Sequence, residues 1–253
     1  MTYIGHKDFY TEVMKGNIPG HSMVHKFGRR ASVANGAWNG LLTANATYVL
    51  LSSAATLRLA AGDVNDDAGG TGAQSVHIYG LSATGTLQDE IIVTNGTTIS
   101  ASSASTYTRC FRVHVEDCGA YGGYNAGAVT VETTGGTDII EIVAGEGQTQ
   151  YGGYTIPLGY TGYLTFVNFT VDSGKVANCR IRTRENYLDA TDPFEPMRIR
   201  LNFDGIIGSF SYKPRGPEMV LSALTDITAE AYGSGGTASV SVNFEILLVE
   251  DGY

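Results

Sequence analysis

Hydrophobic and polar residues alternate along much of this 253-residue chain. Phe111, Val113 and Val115 take every second position of one such stretch, and the residues between them are polar. The same period of two recurs in residues 197–203 and 240–246. Because successive side chains of a strand point to opposite faces of a sheet, this pattern predicts strands that cover a core on one side.

Turn-forming clusters rich in Gly, Ser and Asn separate these stretches, which is typical of a β-sandwich or jelly roll. We therefore predict an all-β fold with two β-sandwich or jelly-roll-like modules, residues 37–147 and 148–253. The strands predicted in the first module are residues 38–43, 47–51, 56–60, 75–81, 87–93, 107–117, 128–132 and 138–143. The clearest strands predicted in the second module are residues 178–184, 197–203 and 240–246.

The junction of the two modules has the pattern of a hairpin. Residues 148–156 and 163–171 both have the composition of strands, with Pro157 and Gly159 between them. Proline fixes one φ angle and glycine permits a positive one, so these residues favour a tight reversal.

Residues 1–36 differ from the rest of the chain. Residues 6–15 favour a short helix that ends at Gly16. The residues after it contain Gly, Pro and basic side chains without a sustained period, which predicts an extended N-terminal arm that lies against another surface. The residues of this arm that we expect at an assembly interface are His21, His25, Lys26, Phe27, Arg29 and Arg30.

The formal net charge of -9 weighs against nucleic acid as a partner, because phosphate binding draws on Lys and Arg. The sequence has no long apolar run, so we predict no membrane span. Five of the 16 basic residues lie in residues 1–30 and eight in residues 175–215. Two interpretations remain open for these cations, namely solvated strand faces or charge complementarity with a neighbouring subunit or an acidic partner.

The three cysteines, Cys110, Cys118 and Cys179, form no CxxC pair. With no leader-like apolar stretch, they predict folding in a cytoplasm without disulfides.

Motifs of catalysis and of cofactor binding are missing from the sequence. It contains no GxSxG, P-loop or GxGxxG motif. Two acidic pairs are adjacent in predicted strands, Asp89 with Glu90 and Glu116 with Asp117. Adjacent residues of a strand point to opposite faces, so neither pair can straddle one bond. We therefore predict no catalytic residues, no cofactor and no metal, although a carboxylate pair assembled from distant positions stays open.

One acidic segment resembles a metal-binding loop in its spacing. Asp63, Asn65 and Asp67 are spaced like the start of a calcium loop, but Ala68 and Gln74 stand where such a loop needs Gly and Glu, so a hydrophilic turn is favoured.

The histidines give no stronger indication of a metal. His21 and His25 would share one face of a helix, but Pro19 disfavours a helix there, so contact with a neighbouring chain is favoured over metal binding. His77 and His114 are expected in strands, facing solvent or an interface.

Tyrosines cluster around glycine turns. A ring with a hydroxyl can bury its face and still form a hydrogen bond at its edge, so such residues serve ordinary packing, subunit interfaces or sugar stacking. The residues that would face a ligand in the last case are Tyr121, Tyr124, Tyr151 and Tyr154.

Three segments carry a resemblance to a known group of proteins. They are PGHSMVHKFGRRASV (residues 19–33), AGEGQTQYGGYTIPLGYTGYLTFV (residues 144–167) and TDITAEAYGSGGTASVSVNFEILLVEDGY (residues 225–253). In these segments the chain resembles virion structural proteins of tailed bacteriophages, such as capsid decoration or cement proteins, head fibres and small tail-associated β proteins.

The resemblance implies a homotrimeric, non-catalytic protein of the virion, assembled in the host cytoplasm. The role that it implies first is that of a cement protein, which binds the major capsid protein and stabilises the shell. The alternative is a tail- or head-fibre-associated module that binds a receptor or a host glycan, and an enzyme that degrades host polysaccharide ranks last.

Overall fold

The structure is a computed structural model that describes residues 8–43, 48–189 and 191–253. The described part is almost entirely β, which confirms the predicted fold class. Its elements up to residue 142 are α1 (Phe9–Met14), β1 (His21–Val33), β2 (Asn39–Gly40), β3 (Ala55–Ala61), β4 (Ala73–Leu81), β5 (Leu87–Val93), β6 (Thr106–Tyr107), β7 (Arg109–Cys118), β8 (Val129–Thr133) and β9 (Asp138–Ile142). The later elements are β10 (Gly153–Thr155), β11 (Tyr160–Val171), β12 (Ala177–Arg184), β13 (Arg198–Ile206), β14 (Ser209–Tyr212), a 3-10 helix (Pro217–Met219), β15 (Val220–Leu221), β16 (Asp226–Gly233) and β17 (Ala238–Glu250).

These strands form four antiparallel sheets. The strand order is β1-β17-β11-β14 in the first sheet, β10-β16-β12-β13 in the second, β6-β3-β8-β9 in the third and β5-β4-β7 in the fourth. In addition, β15 pairs with β11 and β2 pairs with β16. The third and fourth sheets therefore use only strands that lie before residue 143.

The first and second sheets enclose an apolar core. β17 buries every second side chain, including Val242 and Phe244, and β12 buries Cys179 and Ile181 in the same way. The strands of the two sheets contact each other through β16 and β17 and through β11 and β13. This is the sandwich arrangement that period-two alternation predicts.

The segment predicted as an arm forms the edge strand β1. It pairs along its length with the last long strand, β17. At Gly28 an added Cβ would collide with the backbone of Gly152 and Leu41, so only glycine fits this close approach. The described part of the segment is extended from residue 21 to residue 33 and pairs with a strand of its own chain. The division into modules at residue 147 stays a prediction. β1 and β2, which precede that boundary, belong to sheets whose other strands follow it.

The hairpin predicted within residues 148–171 is wrong. β10 pairs with β16 and β11 pairs with β17, so the two strands belong to different sheets. The turn between them is held by other parts of the chain, because the Leu158 nitrogen donates to the Gly85 carbonyl oxygen at 2.8 Å. Residues 158–159 form a turn, but each of the two strands pairs with a strand from a later part of the chain.

The short helix predicted near the N-terminus is present in its described part as α1. The Asp8 carboxylate caps it by accepting a hydrogen bond from the Thr11 nitrogen at 2.9 Å. Residues 1–7 of the predicted arm lie outside the described residues, as does residue 47, where a strand was predicted to begin, and residues 48–51 form no strand. No helix in the described ranges is long and apolar enough to cross a membrane.

A buried ion pair joins the two halves of the chain. Arg109 of β7 donates from Nε to Asp226 Oδ1 at 2.8 Å and from Nη2 to Asp226 Oδ2 at 2.9 Å. The two side chains are 1% and 3% exposed. Asp226 also accepts from the Thr155 hydroxyl at 2.7 Å and from Arg184 Nη2 at 2.8 Å, and the Arg109 guanidinium lies over the ring of Tyr187. One carboxylate thus connects β7 to three strands of the second sheet.

Candidate functional site

The residues predicted at an assembly interface all lie on β1, but they do not share one face. Two of them, His25 and Arg29, are exposed. Half-buried positions are taken by His21, Phe27 and Arg30.

Lys26, the sixth residue of that set, faces the interior. Its ammonium donates to the Phe111 carbonyl oxygen and lies 5.7 Å from the centroid of the Tyr151 ring. Burial, together with the charge of Arg112, lowers the pKa of Lys26 to about 7. Lys26 is therefore an internal contact between β1 and β7 and is not a surface residue.

An apolar groove of about 840 Å³ lies between α1 and the outer face of the first sheet. Its apolar lining includes Tyr10, Val13, Met14, Met23, Val24 and Phe166. Val13 is buried and holds α1 against the sheet, whereas Phe9, Tyr10 and Met14 are exposed. The helix thus presents large apolar side chains to solvent beside the groove.

Two of the four tyrosines that were expected to face a ligand are core residues. Tyr151 and Tyr154 are only 6% and 5% exposed. The ring of Tyr151 stacks on Tyr48 with 4.3 Å between centroids, and Tyr154 packs on Phe111 at 4.6 Å. The expectation is wrong for this pair, because β10 and the residues before it run inside the protein.

Tyr121 and Tyr124, the other two, are exposed. They lie in the loop between β7 and β8, on either side of Gly122, whose φ is 72°. Of the four tyrosines expected to face a ligand, the two in this loop are therefore the ones that a ligand can reach.

Each of the three arginines of β12 forms an ion pair within the chain. Arg180 and Arg182 lie 2.6 Å and 3.3 Å from the two carboxylate oxygens of Glu230. Arg184 lies 2.8 Å from Asp226. Glu230 and Asp226 belong to the neighbouring strand β16, so these three cations have acidic partners inside their own chain.

The segment with calcium-loop spacing is a turn whose carboxylates accept hydrogen bonds from its own backbone. Asp63 Oδ1 accepts from the Asn65 nitrogen at 2.8 Å, and Asp67 Oδ1 accepts from a backbone nitrogen at 3.1 Å. Asp66, between them, is fully buried and accepts from three backbone nitrogens at 2.7 to 2.8 Å. These carboxylates fix the loop and do not converge on a cation position.

The sequence did not predict a cluster of histidines and carboxylates on the outer face of the fourth sheet. His77 of β4 and His114 of β7 are direct cross-strand neighbours. Glu116 Oε2 lies 3.2 Å from His77 Nδ1 and 3.0 Å from His114 Nε2. On the other side of the His77 ring, Nε2 lies 2.7 Å from Asp89 Oδ2 on β5. One carboxylate oxygen and two ring nitrogens therefore converge, within 4.8 Å of one another.

Tyr79 completes this cluster. Its ring stacks on His77 with 4.2 Å between centroids, and its hydroxyl lies 3.1 Å from His77 Nδ1. Burial and the charges of Asp89 and Glu116 raise the pKa of this hydroxyl, so it stays protonated and can donate. The cluster is thus assembled from three adjacent strands, which hold its side chains at fixed spacing.

Comparisons with known proteins give no family. No family model and no curated protein matches the chain. Solved structures of infectious bursal disease virus, from the Gt and Gx strains, are similar at 11% and 12% identity and cover 97% and 92% of this chain and 79% and 72% of theirs. Their TM-scores are 0.26, and a T=1 particle derived from the same virus reaches 0.22 at 11% identity, over 96% of this chain and 74% of that one. Similarity at this level defines neither the fold nor the function of this chain.

Proposed function

We propose that this chain is a structural protein of a virus particle, and more specifically a decoration or cement protein of a tailed-bacteriophage capsid. In this role it binds the major capsid protein at the surface of the shell, forms homotrimers and catalyses no reaction. This assignment to a virus particle is supported by the resemblance to phage virion proteins of residues 19–33, 144–167 and 225–253. The surface of α1 supports the mode of attachment.

The exposed apolar side of α1 is the observation that carries the proposal. A helix of six residues is too short to be stable alone, and this one is fixed by its Asp8 cap and by Val13. Phe9, Tyr10 and Met14 nevertheless project into water beside the groove. Contiguous apolar surface of this kind on a soluble protein marks a contact site.

The groove is the centre of such a contact and not the whole of it. A standard interface buries about 800 Å² on each partner, more than one short helix supplies. Many copies bound to one shell can nevertheless stabilise it strongly with modest affinity at each site. This is consistent with a cement protein, which binds one shell in many copies.

Attachment is tested with two substitutions of matched exposure. Met14 is 72% exposed beside the groove, and Val64 is 68% exposed in a loop that does not line it. Shells assembled from the major capsid protein encoded with this chain are mixed with each variant and sedimented. We expect Met14→Lys to bind at least about tenfold more weakly, which corresponds to about 1.4 kcal/mol, and Val64→Lys to bind like the wild type. Equal binding of both variants, or no binding of the wild type, would contradict the proposal.

The exposure of Tyr121 and Tyr124 favours a second candidate, a receptor- or glycan-binding module of a tail or head fibre. Exposed aromatic rings can stack on sugar rings. The test is a glycan array probed with the wild type, with Tyr121→Ala and with Tyr10→Ala as an exposed tyrosine outside the loop. A glycan bound by the wild type and Tyr10→Ala but lost in Tyr121→Ala would favour this candidate. Absence of any bound glycan would remove it.

A further inference from the structure

We propose that His77, His114 and Glu116 form a binding site for a divalent transition-metal ion, with Zn²⁺ as the best fit. Two imidazole nitrogens and one carboxylate oxygen are a donor set that Zn²⁺ commonly takes in proteins. The site lies on the outer face of the fourth sheet, and none of its three ligands lines the groove beside α1. It does not depend on the role of the protein in a virus particle.

The hydrogen bonds around His77 place its Nδ1 lone pair between the Tyr79 hydroxyl and the Glu116 carboxylate. Asp89 Oδ2 lies 2.7 Å from His77 Nε2, so Nε2 carries the proton and donates to it. Nδ1 of the neutral ring is then an acceptor, and it faces Glu116 Oε2 at 3.2 Å, which is an acceptor as well. A cation bound between Nδ1 and Oε2 would take the place of the hydrogen bond that the Tyr79 hydroxyl can donate to Nδ1 at 3.1 Å.

The spacing of the three donor atoms fits a small metal ion. Zn²⁺ holds nitrogen and oxygen ligands at about 2.0 to 2.2 Å, which places the ligands of a tetrahedron roughly 3.3 to 3.6 Å apart. Glu116 Oε2 lies 3.2 Å from His77 Nδ1 and 3.0 Å from His114 Nε2, and the three atoms lie within 4.8 Å of one another. The two distances to Glu116 Oε2 are slightly shorter than this spacing, and Glu116 is an exposed residue whose carboxylate can move outward to admit the ion.

The surroundings have the features of a supported metal site. Asp89, His77 and the ion position form the carboxylate–histidine–metal arrangement that fixes the tautomer of a ligand. The guanidinium of Arg112 is turned away to the His25 carbonyl oxygen at 2.9 Å. Three protein ligands leave a fourth position open for water, for the Tyr79 hydroxyl or for a group of a partner.

The experiment uses the full chain, stripped with EDTA and dialysed. Zn²⁺ binding is measured by competition with a chromogenic chelator, and Co²⁺ is added separately to record its visible absorption bands. We expect one equivalent for the wild type, loss of binding in His114→Gln and in Glu116→Gln, and about 10- to 100-fold weaker binding in Asp89→Asn. The matched control His21→Gln, on β1, should bind like the wild type.

A measurement on the wild type alone guards against variants that fail to fold. Diethyl pyrocarbonate modifies free imidazoles, and peptide mapping by mass spectrometry reports each site. We expect added Zn²⁺ to protect His77 and His114 while His21 stays reactive. The proposal is overturned if the wild type binds no metal, if folded His114→Gln binds as tightly as the wild type, or if Zn²⁺ protects neither histidine.

Discussion

Arg109 and Asp226 are 117 residues apart in the sequence and form a two-point ion pair inside the protein, with N to O distances of 2.8 and 2.9 Å. Removing one partner of a buried pair leaves the other charge uncompensated, which costs about 3 to 5 kcal/mol. We therefore expect Asp226→Asn to lower the free energy of unfolding by this amount in urea titrations, because Arg109 and Arg184 both lose their partner.

The matched control for this prediction is the exposed pair of Arg198 and Glu195, at 2.8 Å. Exposed pairs contribute about 0 to 1 kcal/mol, so Arg198→Ala should have a small effect. Equal losses in the two variants would show that the buried pair does not hold the two halves together.

Lys26 makes stability depend on pH. Its pKa is about 7 in the folded protein and near the ordinary value of 10.5 in the unfolded chain. Between these values the unfolded chain binds a proton that the folded protein does not, so the free energy of unfolding rises with pH. The slope contributed by Lys26 approaches about 1.4 kcal/mol per pH unit.

The measurement is urea unfolding between pH 7 and 8.5, below the ordinary value of 9.0 for the Cys110 thiol. Above that value Cys110 acts with the opposite sign, because burial raises the pKa of its thiol to about 12. Lys26→Met should remove the slope, and the exposed residue Lys15 offers the control Lys15→Met, which should keep it. An unchanged slope in Lys26→Met would mean that Lys26 is not buried.

Gly28→Ala tests whether β1 lies on its own chain. The added methyl group would meet the backbone of Gly152 and Leu41, so we expect a loss of about 1 to 3 kcal/mol or more in the free energy of unfolding. At Gly135 the nearest atom to an added Cβ is Thr133 Oγ1 at 3.6 Å, and Gly135→Ala should change stability by no more than about 0.5 kcal/mol. A harmless Gly28→Ala would instead place residues 21–33 away from the body of the protein.

Tyr154 and Tyr121 should respond differently to truncation. Tyr154 packs on Phe111 in the core, so Tyr154→Ala should cost about 3 to 5 kcal/mol in thermal or urea unfolding. Tyr121 is exposed, and Tyr121→Ala should stay within about 0.5 kcal/mol of the wild type. Similar stabilities of the two variants would contradict the burial of Tyr154.

Strands with local period-two alternation could be predicted from the sequence. The predicted bounds of residues 87–93 coincide with β5, and the strands predicted at residues 75–81 and 178–184 fall within β4 and β12. Alternation marks such strands because one face meets the core and the other meets water. β1 could not be predicted as a strand from local alternation. It is an edge strand that pairs with the distant strand β17.

The candidate metal centre could be predicted only in part. His114 and Glu116 are two residues apart on one strand, so their shared face follows from the sequence. His77 joins them only because β4 pairs with β7 and places it opposite His114, across a stretch that also contains β5. Such pairing between distant strands depends on tertiary packing, which a local pattern does not encode.

The central claim is that this chain is an assembly protein, and its mass in solution tests that claim most directly. Light scattering after gel filtration should give about 80 kDa for the full chain, three times the 26.8 kDa of one copy. Met14→Lys changes the surface that is proposed to bind the capsid, so it should keep this mass, as should Val64→Lys. A wild type that stays at 26.8 kDa at every concentration would contradict the claim of a homotrimeric assembly protein.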